Sequence, residues 1–169
     1  MRNTLYKALM LAAIPSLAAH AQNANLSGTW KLNVARSFMG QEHPFADYDF
    51  TKKIELNSAV VSITDTALHN STVNVPLPDT TTSLQVATDG KEHEIQLTTV
   101  AGRQSVSTIR ASAEWQGNNL QVVQFASGLA NMTKHRLYLS ADGLQLIDHV
   151  ESYNIYGDTE QRLVFDKIR

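Results

Sequence analysis

The chain has 169 residues, with 14 Lys and Arg against 16 Asp and Glu and no cysteine. No cysteine means no disulfide framework, no Cys metal site and no cysteine-linked lipid. A mildly acidic balance without basic runs argues against nucleic acid and anionic membrane surfaces as partners. The length fits one domain, large enough to hold a core without covalent staples.

The first 21 residues read as a secretory leader. Arg2 and Lys7 form a basic start, Ala8 to Ala19 is an apolar run of twelve residues, and Ala19-His20-Ala21 offers small residues at a cleavage site. The run is short of the roughly 20 apolar residues of a spanning helix and contains Pro15. The expectation is export to a periplasmic or extracellular location, with cleavage after Ala21 and a domain over 22–169. Removing Arg2 and Lys7 leaves twelve basic against sixteen acidic side chains, a net charge of −4. No other stretch is long and apolar enough to cross a bilayer as a helix, so no integral membrane contact is expected after cleavage. The sequence does not specify an oligomeric state.

Leu26 to Ser37, LSGTWKLNVARS, opens the domain with a strand that sets Trp30 beside Gly28. Residues 33–50 are the least regular stretch, interrupted by Gly40 and Pro44 and rich in aromatics. They read either as a surface loop with aromatic pegs or as a lid over a pocket. From Thr51 the chain alternates apolar and polar residues over short runs separated by turn residues, the pattern of half-buried strands. The predicted strands are 52–57, 60–66, 82–88, 91–100, 103–115, 120–126, 132–140, 144–156 and 159–168. Ile54 with Leu56, Leu84 with Val86, Ile95 with Leu97, and Leu137 with Leu139 are expected to point inward. Pro76 and Pro78 place 70–79 in a loop or at an edge. Asp89-Gly90 suits a two-residue type I′ hairpin, and Asp142-Gly143 a second hairpin turn.

With the first strand, this makes about ten, mostly joined to their sequence neighbours by tight turns, and amphipathic helical periodicity is absent. The fold class expected is all-β: an up-and-down antiparallel meander of about 8–10 strands closed into a barrel, since closure removes exposed edges. A β-sandwich is the alternative. A barrel of this size has room for one small ligand.

Gly28-Thr29-Trp30 resembles the G-x-W signature at the first strand of lipocalins and the wider calycin group. SGTWKLNVARS, with DGKE (89–92), SADG (140–143) and VFDK (164–167), resembles secreted, uncharacterised lipocalin-like bacterial proteins over nearly the whole mature chain. The mid-chain T-D-Y element and the disulfide of lipocalins are not present, so the likeness is to the lipocalin-like group. It implies a barrel that binds a small hydrophobic molecule. It also implies a structural plug in which Trp30, beside Gly28, packs across the closed end under a cation from a late strand. Arg162 is the first candidate for that cation and Arg136 the second. The pattern carries no catalytic residue.

Five histidines follow the leader, none at HxH or HxxxH spacing, so no local metal motif exists. By alternation His93, His135 and His149 fall in phase with apolar neighbours: Ile95 and Leu97, Leu137 and Leu139, Ile147 and Ile155. Were those strands adjacent, two or three imidazoles with Glu151 would make a polar anchor or a metal site inside the barrel. Otherwise they are unrelated histidines at strand ends. Arg110, between Thr108 and Ser112, suits a ligand carboxylate if its face is interior and is a solvated strand residue if not. Candidate ligand-binding residues are thus Arg110, His93, His135, His149 and Tyr153. No G-x-S-x-G elbow or Gly-rich phosphate loop is present, and no cofactor is implied. An enzyme on this barrel would use His135 or His149 with Glu151 as acid–base groups. A pocketless module binding through its outer surface is a further alternative. Asn25, Asn70 and Asn131 each begin an N-x-[ST] sequon, of consequence only in a eukaryotic secretory route.

Overall fold

The computed structural model describes residues 24–39, 48–69, 78–126 and 131–168. The leader, residues 40–47 of the proposed lid and most of the predicted loop 70–79 lie outside the described residues; of the remaining lid residues, Val34–Arg36 form a 3-10 turn, Phe38 bridges to Arg162 and Tyr48 to Phe50 begin a strand. Ten strands appear in chain order: β1 (Gly28–Leu32), β2 (Tyr48–Leu56), β3 (Val60–His69), β4 (Thr80–Ala87), β5 (His93–Ala101), β6 (Arg103–Gln116), β7 (Asn119–Ala126), β8 (Asn131–Leu139), β9 (Gln145–Asn154) and β10 (Gly157–Lys167). Each pairs antiparallel with its sequence neighbour, and β1 also pairs with β10, closing the barrel. The fold is therefore the expected up-and-down barrel, and the sandwich alternative falls away.

Period-2 alternation produces this wall because one face of every strand must be dry. Ile54, Val61, Leu84, Val86, Ala111, Ala113, Leu120, Val122, Leu137, Leu146, Val150, Leu163 and Phe165 form the interior cluster with Trp30 and Leu26. The expected inward residues of β2, β4, β5 and β8 all belong to this cluster or pack against it.

One end of the barrel carries the start of β1, the end of β10 and the turns at 57–59, 88–92, 117–118 and 140–144, and it is filled. The opposite end, the mouth, is where β2 and β4 begin and β3 and β7 finish.

Trp30 is fully buried at the filled end and donates its indole N–H to the Leu26 carbonyl at 3.1 Å. The cation over its ring is Lys167, 5.1 Å from the centroid, where the family resemblance suggested Arg162 or Arg136. Lys167 pairs directly with Trp30 in the β1–β10 register. Arg162 lies five residues earlier in β10, toward the mouth, exposed, and bridged through its backbone to Phe38. Arg136 points outward and pairs with Glu151 at 3.2 Å. Gly28 explains the glycine of the G-x-W pattern. Its φ is +151°, and a Cβ there would stand 3.3 Å from Lys167 Cε and 3.4 Å from the Trp30 ring nitrogen. A side chain there would be strained at this φ and would crowd the lysine where it lies on the indole.

The Asp89-Gly90 turn is not the expected two-residue hairpin. Strand pairing stops at Ser83 and Thr98, leaving only three β4–β5 pairs against nine between β5 and β6. The 88–92 loop bonds to other strands instead: Gly90 N–H donates to the Ala113 carbonyl at the end of β6, and Thr88 N–H to the Ala59 carbonyl, one step beyond the β3–β4 ladder, both at 2.9 Å. Asp89 meanwhile accepts from Lys91 N–H and contacts His93. β4 and β5 splay toward that loop, and a polar outer groove lies along them.

Candidate functional site

Toward the mouth the barrel is hollow. A cavity of about 430 Å³ is lined by Tyr48, Phe50 and Lys52 of β2; Ile63, Asp65 and Ala67 of β3; Thr80, Thr82 and Leu84 of β4; and Leu97, Gln124 and His135 of β5, β7 and β8. The volume falls in the ~300–1,000 Å³ range of small-molecule sites, and the lining is mainly apolar with a few polar groups. None of the fully buried side chains of the filled end lines it.

The floor between hollow and filled halves is a chain of charges. Lys52 sits in the inward phase of β2, 2% exposed. Its ammonium lies 2.7 and 2.9 Å from the two oxygens of Asp65, its direct cross-strand partner. It also reaches Asp148 Oδ2 on β9 at 3.4 Å. Asp148 is fully buried, and both its oxygens lie 3.1 Å from His135 Nδ1 on β8. The network thus runs Asp65–Lys52–Asp148–His135 and crosses the lumen from β2 and β3 to β8 and β9. The Lys52 ammonium also stands 5.9 Å from the Phe165 ring centroid.

Burial alone would push the Asp148 carboxyl up; the charges of His135 and Lys52, and their hydrogen bonds, outweigh it and hold the group below its ordinary value. Burial alone would push Lys52 down, and Asp65 and Asp148 reverse that, raising it above its ordinary value. Lys52 and Asp148 both stay charged because each is paired. Since the Asp148 carboxylate only accepts, His135 Nδ1 must carry a proton. Among the described residues His135 Nε2 has no protein partner.

The other sequence candidates lie elsewhere. Asp148 and Val150 point inward on β9, so His149, Glu151 and Tyr153 occupy the outer face, contrary to the phase expected from Ile147 and Ile155. There Glu151 accepts from the Tyr153 hydroxyl at 2.8 Å and pairs with Lys134 and Arg136 at 3.2 Å. These contacts, Tyr153 first and Lys134 second, hold its carboxyl below the ordinary value. His149 Nε2 pairs with Glu160 at 2.7 Å. His93 starts β5 in the inward phase, but its ring turns out to Asp89 at 2.9 Å and does not line the cavity. Arg110 is on the outer face, paired with Glu92 at 2.8 Å and lying over Phe125. The three imidazoles therefore do not meet, and His135 takes Asp148, not Glu151, as its carboxylate. No group of three or more His, Asp or Glu among the described residues is placed to hold a metal.

Lys52, Asp65, Asp148 and Lys167 escaped the sequence-level candidate list. A signal existed for two of them. Lys52 shares phase with Ile54 and Leu56, and Asp65 with Val61 and Ile63, so two opposite charges fall on the core face of strands joined by a short turn. On β9 both phases are apolar, Leu146 and Val150 against Ile147 and Ile155, and periodicity cannot choose. The Ile147 face is buried as well, beside its cross-strand neighbours Tyr138 and Val164.

What fold and site define together is a closed ten-stranded antiparallel barrel with an interior cavity above an ionic floor. No protein-family model and no curated protein matches the chain.

Proposed function

We propose that this chain is an exported, lipocalin-like binding protein that carries a small, largely apolar molecule inside its barrel. The single observation that carries the proposal is the cavity of about 430 Å³ between Phe50, Ile63, Leu84 and Leu97, opening at the mouth and floored by fixed charges. An interior meant only for stability would be filled, since an unfilled apolar volume costs about 24 cal/mol per Å³ in measured cases. The basic, apolar and small-residue order of the first 21 residues supports export. The Gly28–Trp30–Lys167 plug supports the lipocalin-like assignment, with the cation on the last strand. A surface-binding module with a solid core fits poorly, because the hollow half would then have no use.

The test is native mass spectrometry of the protein gently purified from its exported form, followed by Leu84→Trp. A bound small molecule that disappears when the tryptophan fills the cavity is the expected result. A protein that is always empty, and takes up no apolar fluorophore, refutes carriage.

A further inference from the structure

We infer that the cavity selects molecules whose polar head donates hydrogen bonds, an amine or an alcohol on an apolar body, and turns carboxylates away. This rests on the cavity being the binding site. The ionisable groups lining it besides Tyr48 are Lys52, Asp65 and His135. Lys52 is the lining cation, and its ammonium is already held by two carboxylates, Asp65 at 2.7 Å and Asp148 at 3.4 Å. A ligand carboxylate would be a third around one ammonium, in surroundings where little water screens the repulsion. The floor instead presents acceptors. Asp65 is the most open member of the network, its side chain 29% exposed, so its carboxylate is the floor's acceptor toward the cavity. His135 Nδ1 is turned to Asp148 at 3.1 Å, so the ring adds no second free cation beside Lys52. An open carboxylate beside one already engaged cation suits a hydroxyl or an ammonium head.

The test is displacement of the neutral fluorophore N-phenyl-1-naphthylamine by a matched set: decan-1-ol, decylamine and decanoate, at pH 8, above the ordinary histidine range near 6.5. Amine and alcohol are expected to displace the probe at concentrations at least tenfold below decanoate. Asp65→Asn should reduce that ratio at least fivefold, with decanoate gaining. Probe uptake with decanoate equal to or better than the other two overturns the head-group inference and leaves carriage standing. Failure of the probe and all three competitors to bind overturns carriage itself. If Asp65→Asn does not fold, the ranking in the unaltered protein decides alone. A folded Asp65→Asn protein with an unchanged ranking removes Asp65 from the role.

Discussion

Asp148 is the residue on which the interior depends. It is buried, charged and served from both sides, by Lys52 and by His135. Deleting one member of a buried ion pair leaves the other unpaired in a poor solvent, at a cost of about 3–5 kcal/mol, whereas replacing both with apolar groups is often close to neutral. Lys52→Met alone is therefore expected to lose about 3–5 kcal/mol in a urea titration. The triple replacement Lys52→Met, Asp65→Leu, Asp148→Leu should lose less than that single change; a simple sum of losses refutes the network. The pH dependence follows from the same residue. The folded carboxyl lies below its ordinary 3.8, so its stabilising share is full above that value and is lost as pH falls through the folded value. For Lys52, raised from 10.5, the share is full below that value and is lost as pH climbs through the raised one. Urea midpoints should fall below about pH 4 in the native chain, and the acid slope should be shallower in the triple variant. Gly28 offers a residue-scale test at the other end of the barrel. Gly28→Ala should cost about 1–3 kcal/mol from backbone strain at a positive φ, and the Cβ should also lift Lys167 off the indole. Urea denaturation reads the first effect; a change in Trp30 emission, measured in a Trp115→Phe background, reads the second.

Among the elements, the β4–β5 pair stands apart. Every other neighbouring pair in β2 to β10 runs for seven or more residues, while this one stops after Thr81–Ser83 against Thr98–Val100. Strands short of ladder hydrogen bonds open at lower free energy than fully paired ones. Hydrogen exchange is expected to be fastest along 84–87 and 93–97, on the amides that face each other across the splay, and slowest in β9 and β10. Uniform protection around the barrel would contradict this. The elements also show where sequence reading succeeds. The ten strands were legible because alternation and turn residues are local signals, repeated along the chain. The course of the 88–92 loop was not, since Asp-Gly reports a preferred turn but cannot report that Ala113 and Ala59, far along the chain, compete for its N–H groups. The face of β9 was hidden by apolar residues in both phases. Lys52 and Asp65 were passed over because each charge by itself reads as a solvated strand residue; their meaning lies in being opposite one another. Lys167 lay within a quoted motif, yet only the register of β10 against β1 brings it over Trp30.

At the scale of the whole molecule, one barrel does two jobs with two ends. Trp30, Leu26, Leu137, Leu146 and Phe165 make one half solid. The other half, from the charge chain to Tyr48 and Thr80, is open space. Because the Asp65–His135 crossing is anchored in opposite walls and its ions cannot be pushed into the packed half without losing their partners, the depth of that space is set. On the proposed carriage, the barrel is thereby a ruler for its ligand. Among straight-chain alcohols, affinity should climb by about fourfold per added methylene, the equivalent of about 0.8 kcal/mol, and then stop at one length, where the next carbon is left outside in water.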